Sequence, residues 1–140
     1  MTEMEVDFFS VSQGYGFCEG GGQRVFFRVE SFAKGHPEEP LPISGEAVLV
    51  DGVIQGERSP RAQRVVRKHP PVRLQGKVKS FDSKKGWGFI DSEDGSVLFM
   101  HRSDFLMSPF LPLVGSCVEF YSGSRRGKPR ACYVQPCRVE

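Results

Sequence analysis

The sequence predicts an all-β protein built from two small five-stranded Greek-key barrels in tandem. Three observations support this prediction: short segments in which apolar and polar residues alternate, an internal repeat that divides the 140 residues into two copies, and glycine-rich turns between the segments. No segment sustains the helical period of about 3.6 residues. A hydrophobic content of 39% and a charged content of 26% are typical of a folded globular protein.

The repeat is marked by an aromatic residue between two glycines, followed by a phenylalanine. Gly14-Tyr15-Gly16-Phe17 matches Gly86-Trp87-Gly88-Phe89 at an offset of 72 residues, and Phe26 matches Phe99 at an offset of 73. The order is kept while the offset drifts slightly, as short loop insertions would cause. The two copies are therefore expected to share one fold.

Two consecutive prolines, Pro70 and Pro71, separate the copies. Proline fixes φ and favours an extended chain, so this segment predicts a short, stiff connector. The predicted organisation is a first domain of residues 1–68, a proline-containing linker of residues 69–73 and a second domain of residues 74–140.

Each copy contains five segments that are typical of strands. In the first copy they are VDFFSV, YGFCE, RVFFRVE, EAVLVDG and AQRVV, with the turn Gly20-Gly21-Gly22 between the second and the third. In the second copy they are LQGKVKSF, WGFIDS, VLFMHRS, GSCVEFYSG and ACYVQP, with the hairpin signal Asp94-Gly95 at the matching place. A long loop between the third and fourth segments suggests a Greek-key barrel.

Strand side chains alternate between two faces, so each copy divides its apolar residues between a core and an outer surface. In the second copy, an interior of Ile90, Leu98 and Met100 leaves the other face to aromatic and cationic side chains. These are Lys79, Trp87, Phe89, Phe99 and His101. In the first copy, the same alternation leaves an outer face of Tyr15, Phe17, Phe26 and Arg28.

An outer face of aromatic rings competes with a simpler interpretation, in which the rings form the core. That interpretation would turn Ile90, Leu98 and Met100 outward, because shifting a strand by one residue exchanges its faces. Exposed rings are costly unless a ligand covers them. Unpaired bases stack on such rings while nearby cations follow the phosphates. The pattern therefore favours a face for single-stranded nucleic acid, with glycines that allow close backbone approach and keep the rings accessible.

The second copy resembles a known family. GKVKSFDSKKGWGFI at residues 76–90, followed by LFMH at residues 98–101, is similar to the two ribonucleoprotein motifs of cold-shock domains of the bacterial and Y-box type. The family pattern is roughly G-x-V-K-W-F-N-x-x-K-G-[FYW]-G-F-I and then V-F-V-H, and the similarity continues as far as Val134. The resemblance implies a five-stranded barrel of the OB type that binds single-stranded RNA or DNA on its second and third strands.

The resemblance assigns nucleic-acid-binding positions residue by residue. In the second copy these are Lys79, Phe81, Lys85, Trp87, Phe89, Phe99, His101, Arg102, Phe110 and Arg126. The copy departs from the family at Ser80 (family Trp), at Asp82 (family Asn) and at Arg102 (family aromatic). Two stacking surfaces are lost, although an arginine can stack as well as pair with phosphate. We expect weaker binding than in a typical member.

In the first copy, the matching positions are Phe8, Tyr15, Phe17, Phe26, Arg28 and Arg58. Asp7 and Gln13 replace family lysines, and Arg28 replaces the histidine. Residues 1–70 carry 8 basic and 10 acidic side chains, whereas residues 71–140 carry 11 and 7. We expect a divergent cold-shock-like first domain with a weaker site, and the stronger site at residues 79–101. The first domain could instead contact a protein partner or a second copy of the chain.

Other chemistry is not indicated. The four cysteines are expected to be reduced thiols, mostly buried, and Cys132 and Cys137 form a single C-x4-C pair, so neither a metal nor another cofactor is predicted. His36, His69 and His101 are far apart and outside any catalytic motif. GYGF and GWGF are too short for a dinucleotide fingerprint. The chain is predicted not to be an enzyme.

No run reaches the ~18 to 20 apolar residues of a membrane helix, and MTEMEVDFF lacks the regions of a signal peptide. These observations predict a cytoplasmic protein with no membrane partner, with a nuclear or nucleoid association left open. The predicted function is binding of single-stranded RNA or DNA by base stacking, as an RNA chaperone or a regulator of gene expression. The alternative, motivated by Asp7, Ser80 and Asp82, is an adaptor for protein interaction or dimerisation built on degenerate barrels.

Overall fold

A computed structural model of the chain describes residues 1–56, 59–106 and 112–137. Within these residues the chain is all-β apart from two short turns of 3-10 helix, and no described helix is long and apolar enough to cross a membrane. The chain divides into two compact units, Met1–Pro71 and Val72–Glu140. Each unit is a separate barrel.

The first unit is a barrel of five main strands with a two-residue strand beside it. Its strands are β1 (Thr2–Ser10), β2 (Tyr15–Gly20), β3 (Gln23–Arg28), β4 (Phe32–Ala33), β5 (Ala47–Gln55) and β6 (Pro60–Arg67). The main strands follow the order β3-β2-β1-β5-β6, and a parallel pairing of Phe26 with Arg61 closes β3 onto β6. The short β4 also pairs with β6.

The second unit is a closed barrel of five strands. These are β7 (Arg73–Asp82), β8 (Trp87–Ser92), β9 (Val97–His101), β10 (Cys117–Arg125) and β11 (Lys128–Pro136). They follow the order β10-β11-β9-β8-β7, with β7 paired to β10 and a parallel pairing of Arg130 with Phe99. The predicted fold class, two small five-stranded barrels in tandem, is therefore confirmed.

Each barrel has its own core, formed by the residues that strand alternation directs inward. The first core consists of Met4, Val6, Cys18, Val25, Phe27, Val48, Val50, Ala62 and Val65. The second consists of Val78, Ile90, Leu98, Met100, Val118, Phe120, Ala131 and Val134. Ile90, Leu98 and Met100 are at most 1% exposed, which confirms that these residues point inward. Their neighbours in sequence therefore face outward.

A β-bulge interrupts the first strand of each barrel at the same place. The pairing of β1 with β2 shifts between Val6 and Phe8, and the pairing of β7 with β8 shifts between Val78 and Ser80. A bulge inserts one unpaired residue, so two consecutive residues can share the outer face. The bulge thus brings an additional side chain from the first strand to the rings of the second strand.

Two glycines are required where the bulged strand crosses its neighbour. A Cβ atom on Gly88 would overlap the carbonyl oxygen of Ser80, and one on Gly16 would overlap that of Phe8. Any side chain at these positions would push the two strands apart. Gly16 and Gly88, which follow the aromatic residues, therefore serve the close backbone approach that the sequence predicted for glycines beside the rings.

A disulfide joins Cys117, at the start of β10, to Cys137, which follows β11. The antiparallel pairing of these strands brings the two Cα atoms to 5.4 Å although the residues are 20 apart in sequence. The prediction of four reduced thiols is wrong for this pair, because the register of the β10–β11 hairpin places the two residues opposite each other. Cys18 and Cys132 remain buried thiols, and burial raises the pKa of Cys18 to about 12.

The cysteines should therefore differ in reactivity. In the native, unreduced protein we expect Cys18 and Cys132 to resist Ellman's reagent, because the thiolate is the reactive form and both groups are buried. Unfolding in guanidinium should expose two thiols, and prior reduction should raise that count to four. Reduction should also lower the free energy of unfolding by about 3 kcal/mol. Four reactive thiols in the unreduced, unfolded protein would contradict the disulfide.

A buried arginine organises the long loop between β4 and β5. Arg67, whose side chain is 2% exposed, donates to the Glu46 carboxylate at 2.6 and 2.8 Å and to Glu39 at 3.2 Å. It also donates to the carbonyl oxygens of Pro40 and Leu41, at 3.0 Å each. Burial alone would lower the pKa of Arg67, but the two carboxylates outweigh burial and raise that pKa.

Candidate nucleic-acid interface

The outer face of the second barrel carries three aromatic rings in mutual contact, which we call the second platform. Trp87 and Phe89 lie on β8, and Phe99 on β9 is the register partner of Phe89. Ring centroids are 6.0 Å apart for Trp87 with Phe89 and with Phe99, and 5.9 Å apart for Phe89 with Phe99. Trp87 is 36% exposed and both phenylalanines are half-buried. The platform presents ring surface to solvent.

Two cations lie over rings of the second platform, and a third is exposed on the neighbouring strand. The Lys85 ammonium lies 5.7 Å from the Trp87 ring centroid, and the Arg130 guanidinium lies 5.6 Å from that of Phe99. Lys79 is exposed on the bulge of β7. Lys85 and Arg130 therefore lie close enough to the rings to pair with the phosphates of a ligand that is bound there.

The sequence did not single out Arg130, which the structure places at the platform. Its Nε donates to both carboxylate oxygens of Asp104, at 3.1 and 3.0 Å, and this fixes the guanidinium beside Phe99. Burial raises the pKa of Asp104, while the charge and hydrogen bonds of Arg130 act in the opposite direction. Alternation on β11 could have indicated this residue, because its neighbour Ala131 points inward.

A cationic groove of about 720 Å³ adjoins Phe89 and Phe99. Its other lining residues come from β9 and from the β10–β11 hairpin: Val97, Arg125, Arg126, Lys128, Pro129 and Arg130. Arg126 and Gly127 both have positive φ, as a two-residue hairpin turn requires. The structure therefore places Arg126, to which the resemblance assigns a phosphate contact, in one groove with Phe89 and Phe99, together with basic residues that the sequence pattern did not indicate.

His101 lies at the end of β9, opposite Trp87 in register. Its Nδ1 accepts a hydrogen bond from the backbone N–H of Ser103 at 3.1 Å, and the backbone N–H of His101 donates to Asp104 at 2.9 Å. Since a backbone N–H can only donate, the proton of the neutral imidazole is on Nε2. His101 can therefore donate a hydrogen bond from Nε2.

Arg102 and Phe81, two further residues predicted to bind nucleic acid, contact residues outside the second platform. The backbone N–H of Arg102 donates to the carbonyl of Gly86 at 2.8 Å, and its exposed guanidinium lies against the same glycine. Phe81 is half-buried against the core and contacts Phe105, with ring centroids 5.7 Å apart. Phe81 also lines a concave surface with Trp87. Phe81 is the register partner of the inward Gly88, so it lies on the core side of β7 and its ring contact is with Phe105 rather than with the three rings of the platform.

Asp82, the acid that replaces the family asparagine, shapes the turn before Trp87. Its carboxylate accepts hydrogen bonds from the backbone N–H groups of Lys85 at 3.0 Å and Lys84 at 2.9 Å. These bonds, that from Lys85 foremost, lower the pKa of Asp82. At a pH above the ordinary pKa of an aspartate, the charged carboxylate therefore stabilises the turn in full. This stabilisation is lost as the pH falls through the lowered pKa of Asp82.

Asp82→Asn should keep the turn and improve binding. Asparagine retains an acceptor for the two N–H groups and removes a negative charge beside the second platform. We expect oligonucleotide binding about twofold tighter, because exposed charges act weakly through screening. Asp82→Ala, which also removes the acceptor, should give no such gain. Titration of the three proteins with one oligonucleotide measures the difference, and equal gains in both variants would contradict a role in the turn.

The outer face of the first barrel carries four rings, which we call the first platform: Phe8, Tyr15, Phe17 and Phe26. Centroids of contacting rings are 5.4 to 6.4 Å apart. The Arg28 guanidinium lies 5.6 Å from the Phe26 centroid. The structure thus brings together all the positions predicted in this copy except Arg58. That residue, like Phe110 of the second copy, lies outside the described residues.

The fold and these faces define a tandem protein of small OB-type barrels. The sequence profile described as "'Cold-shock' DNA-binding domain" matches residues 74–137. A "Cold shock-like protein" of Thermotoga maritima is 43% identical over 63 residues, which are 44% of this chain and 96% of the relative. The chain belongs to the cold-shock domain family, and the resemblance seen in its sequence is confirmed.

Other comparisons cover parts of longer proteins. "Cold shock protein 1" of Arabidopsis thaliana is 48% identical over 66 residues, which are 45% of this chain and 22% of that protein. A solved structure titled "drosophila Unr CSD456" aligns with 99% of this chain and 64% of its own length, at 20% identity and a TM-score of 0.39. The assignment to the family depends on the profile and the bacterial relative.

Proposed function

We propose that the chain binds single-stranded nucleic acid by stacking unpaired bases on the second platform. The observation that supports this most directly is the contact of three outward rings, Trp87, Phe89 and Phe99, beside a cationic groove. Each stacked base contributes about 1–3 kcal/mol, with little dependence on its identity. Membership of a family named for DNA binding supports the same function.

In this proposal the rings and the cations have separate roles. Bases stack on the rings, while Lys79, Lys85 and Arg126 pair with the phosphates. His101 donates from Nε2 to a base or phosphate oxygen, and Arg102 contributes a planar cation at the turn. Because stacking holds bases unpaired, the bound state competes with hairpins in RNA. The cellular role that fits is an RNA chaperone or a regulator of gene expression.

The first barrel is proposed as a divergent cold-shock-like domain of residues 1–68, with residues 69–73 as the linker to the second domain, residues 74–140. Its platform resembles the second in ring placement and is proposed as the weaker site. Arg58 and Phe110 keep the binding roles that the family resemblance assigns to them. The comparisons do not favour the adaptor alternative.

Titration of the folded protein with oligothymidine and oligouridine tests the proposal. Trp87 is the only tryptophan of the chain, so its fluorescence reports on the second platform directly. We expect quenching at low salt, and an affinity whose logarithm falls with the logarithm of salt by about 0.7 for each phosphate contact. Three paired cations would give a slope of about −2. The absence of both quenching and binding at low salt would refute the proposal.

A further inference from the structure

In the first barrel an arginine covers part of the platform. The Arg24 guanidinium lies 4.4 Å from the centroid of Phe17 and 5.9 Å from that of Phe8. At 4.4 Å the guanidinium occupies the layer in which a planar ligand would contact the Phe17 ring. Among the described residues, the nearest cations to the rings of the second platform stand at 5.6 and 5.7 Å.

Two carboxylates hold Arg24 in this position. Its Nη1 is 2.8 Å from Asp7 Oδ2 and 2.5 Å from Glu19 Oε1. Glu19 is the register partner of Arg24 across β2 and β3, and Asp7 is the bulged residue of β1. Both contacts therefore follow from the strand pairing of the barrel, with the Asp7 side chain only 18% exposed.

The second barrel has different residues at the equivalent places. The bulge of β7 carries Lys79 where β1 carries Asp7. Val97, the register partner of Asp91, takes the place of Arg24, and Asp91 that of Glu19. The second barrel therefore keeps one acid of the three-residue arrangement but has neither the arginine nor the acid on the bulge.

We propose that Arg24, held by Asp7 and Glu19, is a latch that closes the first platform to bases, and that Asp7 and Arg24 determine which barrel binds nucleic acid. The inference rests on the proposed function, because it concerns the same ligand. The first barrel has one ring more than the second, so a shortage of stacking surface does not explain a weaker site. Two features of the latch explain why the first barrel would be the weaker site.

The first feature is steric and the second is electrostatic. A base can stack on Phe17 only after the guanidinium leaves the ring and its two carboxylates. The latch also brings two negative charges and one positive charge to the platform, whereas Lys79, Asp91 and Val97 sum to zero. A net negative charge at this edge repels phosphate, even after Arg24 has moved.

A gain of binding tests the latch. In a chain whose second platform is disabled by Phe89→Ala and Phe99→Ala, Asp7→Lys with Arg24→Val gives the first barrel the residues of the second. Anisotropy of fluorescein-labelled oligothymidine should then report binding about tenfold tighter than in the disabled parent. A matched control is Arg64→Val in the same parent, which removes an exposed arginine from β6 and should give no gain. An affinity unchanged or weakened by the double exchange would overturn the proposal.

The reverse exchange gives an independent measurement. Lys79→Asp with Val97→Arg, in an otherwise unchanged chain, should install the latch beside Phe89. The affinity for oligothymidine, measured by Trp87 quenching, should fall by at least about tenfold. Lys79→Asp alone separates the effect of charge from that of an arginine covering the ring. This single change should lower the affinity less than the two changes together. Failure of the unchanged chain to bind oligothymidine refutes the proposed function. If the unchanged chain binds but either exchange lacks its expected effect, the latch is refuted and the proposed function stands.

Discussion

Phe99→Ala should weaken binding of a single-stranded oligonucleotide by roughly five- to hundredfold. The Phe99 ring contacts both other rings of the second platform and lies beside the Arg130 guanidinium. Its removal eliminates one stacking surface, worth about 1–3 kcal/mol, and each 1.4 kcal/mol is about tenfold in affinity. Anisotropy of a labelled oligonucleotide measures the loss without depending on the altered surroundings of Trp87.

The matched control is Phe26→Ala in the first barrel. Phe26 pairs with Arg61 as Phe99 pairs with Arg130, so the two phenylalanines occupy equivalent places in their barrels. We expect a smaller loss for Phe26→Ala, and the same ranking when Phe17→Ala is compared with Phe89→Ala. Equal or reversed losses would show that the proposed ranking of the two barrels is wrong.

Unfolding is not expected to account for the loss. Phe99 lies on the outer face, while the residues on either side of it, Leu98 and Met100, are buried in the second core. Removing the Phe99 ring therefore opens no cavity in that core. The far-UV circular dichroism spectrum of the variant should match that of the unchanged protein.

The inward and outward faces of the strands could be predicted because strand alternation is a local property of the sequence. Ile90, Leu98 and Met100 are buried as the period of two requires, and the rings between them face outward. The period alone does not place Phe8, because the bulge after Val6 changes the alternation. The resemblance to the family correctly grouped Phe8 with the rings.

The contacts of Arg24 with Asp7, of Arg130 with Phe99 and of Arg67 with its carboxylates could not be predicted, because they join residues distant in sequence. Arg24 meets Asp7 only when three strands pair, and Arg130 reaches Phe99 through the closure of the barrel. The disulfide of Cys117 with Cys137 depends instead on the register of the β10–β11 hairpin, which the spacing of the two cysteines did not indicate. Local patterns therefore indicated which face carries the rings, while tertiary contacts decide how much of the ring surface of each platform is covered.

Arg67 is a second example of a residue whose tertiary contacts, here important for stability, could not be predicted from the sequence. In sequence it lies three residues after Arg64 and directly before Lys68, and alternation from the buried Val65 places it on the inward face without indicating which acceptors it meets. In the barrel its guanidinium lies 5.0 Å from the Phe32 ring centroid and between the carboxylates of Glu39 and Glu46. Arg67 thereby joins the end of β6 to the loop that precedes β5.

Arg67→Ala should lower the free energy of unfolding of the first barrel by about 3–5 kcal/mol, because it leaves Glu46, Glu39 and two loop carbonyls without their donor. Urea denaturation followed by far-UV circular dichroism measures this loss. Arg67→Lys should recover only part of it, since an ammonium cannot reach the same set of acceptors in a plane. Lys68→Ala, which breaks an exposed pair with Glu3, is the matched control and should change stability little. If Arg67→Ala were as mild as Lys68→Ala, the loop would not depend on the arginine, and its order would have to come from the packing of Ile43 and Phe32 against the barrel.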